Sequence, residues 1–141
     1  MMTSVDNRID ALIGSVKKKS YMQAFDFIPG YPAHKTPNPV TKYTVAVVNN
    51  EVKVKWQGIG CADQWRIFEA ELCLRVYAPE NSSGAALLRA SSLLMNALEA
   101  SDPWFEISEM KLTGIGFDTA SRTEYRDVIV KLHLGERIED E

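Results

Sequence analysis

Residues Phe68-Glu69-Ala70-Glu71-Leu72-Cys73-Leu74-Arg75-Val76-Tyr77 alternate apolar and polar side chains almost without a break. Successive side chains of a strand point to opposite faces, so Phe68, Ala70, Leu72, Leu74 and Val76 share one face. Glu69, Glu71, Cys73, Arg75 and Tyr77 share the other. Ala78-Pro79-Glu80-Asn81-Ser82-Ser83 then supplies a breaker and an N-cap. Leu87, Leu88, Ser91, Leu94, Met95 and Leu98 follow at helical spacing and stop near Ser101-Asp102-Pro103. A half-buried strand followed by an apolar-striped helix over about 83–100 predicts the main core: the helix lies on the strand's apolar face, and the rest of the chain packs around that unit.

Val5, Ile9, Leu12, Ile13 and Val16 repeat at helical spacing. Asp6 and Asp10 near one end and Lys17, Lys18 and Lys19 at the other complement the helix dipole, which predicts a first helix over about 4–19 capped by Thr3 or Ser4. Pro29-Gly30-Tyr31-Pro32 and Pro37-Asn38-Pro39 interrupt regular structure across residues 20–43. This connection reads equally as a functional loop or as an extended arm lying on its own sheet.

Thr41 to Val48 and Glu51 to Trp56 flank Asn49-Asn50, which reads as a β-hairpin, with Val52, Val54 and Trp56 buried and Glu51, Lys53 and Lys55 wet. Gly58 to Asp63 reads as a loop. Trp104 to Thr113, continuing to about Phe117, and Glu124 to Leu134 read as strands, and the charged tail 136–141 as frayed. The expected fold is α+β: one domain over 1–141, with an antiparallel or mixed sheet of about four or five strands packed against two helices and a Pro-rich arm at about 28–41.

The 141 residues are enough to bury a core without staples, and 45% hydrophobic with 25% charged residues is ordinary for a globular protein. A net charge of −3 gives no general attraction for nucleic acid or an anionic membrane. The start lacks the basic and apolar regions of a secretory signal, and no apolar run approaches membrane-span length, so a cytosolic chain with Cys61 and Cys73 reduced is expected.

Chemical motifs fail on their own terms. Ser15-Val16-Lys17-Lys18 fits Ser-x-x-Lys but has neither of its partner motifs. Gly58-Ile59-Gly60 and Gly114-Ile115-Gly116 lack the third glycine of a dinucleotide fingerprint and the Gly-Lys of a phosphate loop, and read as turn or bulge glycines. Cys61, Cys73, His34 and His133 have no short chelating spacing. Glu69 and Glu71 form a carboxylate pair of the kind that any wet or subunit-facing strand carries. Trp65 beside Arg66 suits a protein–protein hot spot at least as well as a stacking surface for single-stranded nucleic acid. The chain is therefore expected to have no catalytic, cofactor or metal site.

The order of elements, the strand ending Arg75-Val76-Tyr77-Ala78-Pro79 and the following Gly84-x-x-Leu87-Leu88 helix resemble the small tail-terminator, or tail-completion, proteins of tailed phages and phage-like particles. The resemblance covers about residues 5–135. It implies a structural, non-enzymatic subunit that forms a hexameric ring on the tail tube, stops tube growth and meets head-completion or neck proteins. It also implies assembly in a host bacterial cytoplasm and residence in the virion tail. The subunit interface expected under it is the wet strand face with Glu69, Glu71, Arg75 and Tyr77 and the loop around Trp65 and Arg66. Tube or neck contacts are expected from Tyr31, His34 and Lys35 in the Pro-rich arm and from Asp118 and Arg122. Two other readings stand beside it: a head-closure, neck or minor capsid component, and a small cytosolic α+β enzyme or ligand-binding module.

Overall fold

The structure, a computed structural model, describes residues 4–29, 42–57, 64–79, 84–102, 106–118 and 123–138. Helix α1 (Ser4–Lys17) leads through a 3-10 turn (Ser20–Met22) into strand β1 (Asp26–Pro29). Strands β2 (Thr44–Gln57) and β3 (Gln64–Tyr77), helix α2 (Gly84–Ala100) and strands β4 (Ile107–Leu112), β5 (Gly116–Asp118) and β6 (Thr123–Ile138) follow. The fold is α+β, and the described sheet has six strands in the order β1-β2-β3-β6-β4, with β5 also on β6. β1 is parallel to β2 and all other pairs are antiparallel, which makes the sheet mixed. Because β6 inserts between β3 and β4, the two strands joined through α2 form a split β-α-β unit.

The central prediction holds except at Leu88, which was expected in the helix stripe and is 46% exposed. Leu72, Leu74 and Val76 of β3, Val128 and Val130 of β6 and Val45 of β2 are fully buried against Leu87, Leu94 and Leu98 of α2. Ile9, Leu12, Ile13 and Val16 of α1 join the same core. The Gln23 side-chain amide donates to the carbonyls of Lys17 (2.8 Å) and Lys19 (3.3 Å), closing the end of α1. After α2, the Asp102 carboxylate accepts the backbone N–H groups of Glu106 (2.8 Å) and Ile107 (2.9 Å), which fixes the entry to β4. Arg8 of α1 pairs with Glu106 and ties the first helix to the same point.

Four expectations are corrected. The sheet has more strands than four or five because the segment read as a connection contains β1, and because the strand read as continuing to Phe117 breaks at Thr113 to Ile115 and resumes as β5. Asn49-Asn50 is not a hairpin turn. β2 runs through it, with Asn49 opposite Leu72 and Glu51 opposite Glu71, so Asn50 is the extra residue of a bulge. The bulge shifts the alternation by one: Val45 and Val47 face the helices before it, and Val52 and Val54 after it. Val52 and Val54 are not buried; they are 40% and 47% exposed because the helix layer does not reach them. Residues 136–138 are strand, not frayed tail, since β3 begins at Gln64 and pairs with them.

The expected cap at Thr3, the loop 58–63, most of the Pro-rich arm and residues 139–141 lie outside the described residues.

Candidate functional site: the open face of the sheet

The helices cover one face of the sheet, and the other carries four of the six residues expected at the subunit interface, Glu69, Glu71, Arg75 and Tyr77. Across that open face the register sets polar side chains in rows. Glu51 of β2, Glu71 of β3, Lys131 of β6 and Glu109 of β4 form one row, and Lys53, Glu69 and His133 form the next. The Lys131 Nζ lies 3.5 Å from a Glu109 oxygen, Lys53 lies 3.8 Å from Glu51, and His133 Nδ1 lies 4.0 Å from Glu69. Glu51, Lys53, Glu69, Glu71, Lys131 and His133 line a shallow depression of about 280 Å³. Glu51 directly opposite Glu71 is a like-charge pair, which a sheet tolerates at a cost when both groups reach water.

Nearer β1, the same face is locked rather than free. Arg75 makes a bidentate pair with Asp127, Nε to Oδ1 at 2.8 Å and a terminal nitrogen to Oδ2 at 3.1 Å. Its guanidinium also lies 3.9 Å from the centre of the Tyr125 ring. The hydrogen bonds that Arg75 donates to the Asp127 carboxylate raise its pKa further. Tyr77 is 5% exposed and packs with Ala46, Ile28 and Tyr125. Gly116 lies under that ring: a Cβ there would come within 2.6 Å of Tyr125.

Between the two zones sits Cys73, whose thiol is pushed up to about 11 by burial first and by the neighbouring Asp127 carboxylate second. A thiol held protonated in this way is a poor nucleophile.

Of the expected interface residues, Glu69, Glu71, Arg75 and Tyr77 share this face. Trp65 and Arg66 do not lie in a loop. They are strand residues of β3, Trp65 opposite Gln57 and Arg137, and Arg66 opposite Trp56 and Glu136. Asp118 ends β5 opposite Thr123. Tyr31, His34, Lys35 and Arg122 lie outside the described residues.

Sequence reasoning read Glu51 and Lys53 as the wet side of their strand without joining them to this face, and missed Glu109, Lys131 and Asp127 as members of it. The alternation of β6, with Lys131 and His133 opposite in phase to Val130 and Leu132, carried part of that signal.

Among the described residues no group of three metal-binding side chains converges, and no helix is long and apolar enough to cross a membrane. No protein-family model and no curated protein sequence matches this chain.

Proposed function

We propose that this chain is a structural subunit of a phage tail or phage-like particle, a tail terminator that assembles into a hexameric ring, caps the tail tube and meets head-completion proteins. One observation carries the reading: among the described residues, helices cover one face of the six-stranded sheet, and the other face carries ordered rows of charge. Such a face gives register and partner choice more than raw affinity. A closed ring needs two different patches on each copy, and an asymmetric sheet with helices on one side supplies them. In this role Glu69 and Glu71, one strand in from the β2 edge, set the charge of the face presented to partners, while Arg75 and Tyr77 hold the strands that present them. The reading requires no catalytic group.

Imaging of tail tubes assembled with and without the purified chain tests it. Six-fold rings on tube ends, with tubes of limited length, are the expected result. A chain that ignores tube protein and binds a portal or connector ring would make it a neck component instead, and a permanently single-copy chain would contradict both.

A further inference from the structure

The two edges of the sheet are unlike, and they fit each other. On the β1 side, β1 covers β2 only from Thr44 to Val47, and among the described residues no strand pairs with that side of β2 from Val48 to Gln57. At the opposite edge, β4 has β6 on one side and no described strand on the other. Exposed N–H and C=O groups along a strand edge are a template for another strand. We infer that β4 of a second copy of this chain pairs antiparallel with β2 beyond the bulge and carries the sheet from one subunit into the next; this rests on the ring reading above and names its joint.

Direction, faces and charge agree. β4 is antiparallel to β6, β6 to β3 and β3 to β2, so β4 runs opposite to β2. A second copy set beside β2 in the same orientation therefore brings its β4 up antiparallel, with open face continuing open face. Lys111 of that copy then falls opposite Glu51, Glu109 opposite Lys53, and Met110 opposite Val52. On the open face each charge meets its opposite. The existing Glu51–Lys53 and Glu109–Lys131 contacts are between well-exposed groups and are weak enough to share.

The helix face separates this joint from a symmetric one. Two β2 edges could also pair with each other, Glu51 against Lys53, but Val52 and Val54 would then remain beyond both helix layers. Beside β4, by contrast, the end of α2 leaves a hollow of about 330 Å³ lined by Glu99, Asp102, Ile107 and Met110. Val52 and Val54 lie on the helix side of β2, exposed, and the proposed joint brings them to that place. The β4 edge covers them and the β2 edge does not.

The test is disulfide trapping in a chain with Cys61→Ser and Cys73→Ser. Residues directly opposite in an antiparallel pair have Cα atoms about 4.5–5.5 Å apart, within disulfide reach. With Val52→Cys and Met110→Cys in one chain, mild oxidation is expected to give a ladder extending beyond two copies, and neither single variant should cross-link. As a second probe, Lys53→Glu should weaken assembly about tenfold, and adding Glu109→Lys should restore it.

Dimers from Val52→Cys alone would show β2 edges pairing with themselves and overturn the inference. A six-copy wild-type particle whose double-cysteine variant does not cross-link would overturn it while leaving the ring intact. A wild-type chain that stays single at every concentration in native mass spectrometry would remove the ring and the joint together.

Discussion

The two ends of strand β2 are built for different duties. From Thr44 to Val48, Ala70 to Tyr77 and Tyr125 to Leu132, the sheet is roofed by α1 and α2, and side chains such as Leu72, Val76 and Val128 are sealed from water. Beyond the bulge β2 runs on past the roof and Val52 and Val54 stand in solvent, while Phe68 and Leu134 on the neighbouring strands still pack against the core. The backbone pairing is continuous across both ends. What changes is the second layer, which shows that strand pairing extends a sheet but burial against another layer decides which part of it folds the protein.

Substitutions sharpen the contrast. Leu72→Ala or Leu94→Ala, under the roof, should cost about 2–5 kcal/mol in denaturant unfolding, whereas Val54→Ala should stay within about 0.5 kcal/mol and affect assembly instead. Equal losses at the two ends would break the comparison. Gly116→Ala should cost about 1–3 kcal/mol, because the new Cβ must push the Tyr125 ring off its place and loosen its packing on Arg75. The near-ultraviolet tyrosine signal should change with it.

Asp127→Asn removes one charge of the Arg75 pair. Arg75 is 37% exposed and can turn to water, so the cost should be about 1 kcal/mol by chemical denaturation.

Cys73 gives the smallest effect. Its thiol rises from the ordinary 9.0 to about 11 on folding. The unfolded thiol loses its proton first, so the contribution to stability is complete below pH 9 and is lost as pH rises toward 11. At neutral pH, alkylation of Cys73 in the folded chain should be about a hundredfold slower than in the unfolded chain.

The roofed part was legible in the sequence because one-sided burial leaves a period: alternation in residues 68–77, and helical spacing in Leu87, Leu94 and Leu98. The bulge was half legible. The apolar phase moves from Val45 and Val47 to Val52 and Val54, which marks an irregularity at Asn49-Asn50, but a turn and a bulge break the phase alike, and only the pairing of Asn49 with Leu72 and Glu51 with Glu71 separates them.

β1 was hidden by its shortness and by the prolines that follow it. The Arg75–Asp127 pair was hidden because its members lie 52 residues apart and meet only through the register of β3 on β6. The open face was legible as wet strand residues, yet its rows of charge depend on four strands being aligned, which no single segment encodes.

Hydrogen exchange on the intact chain, compared between dilute and assembled samples, tests most directly whether the roofed end folds the protein while the unroofed end joins it to its neighbours. Amides of residues 70–76 should be strongly protected in both samples, while those of 51–57 and 107–112 should exchange quickly when dilute and gain protection together on assembly. Residues 51–57 and 107–112 that are unchanged in an assembled ring, or already as protected as 70–76 in the single chain, would contradict it.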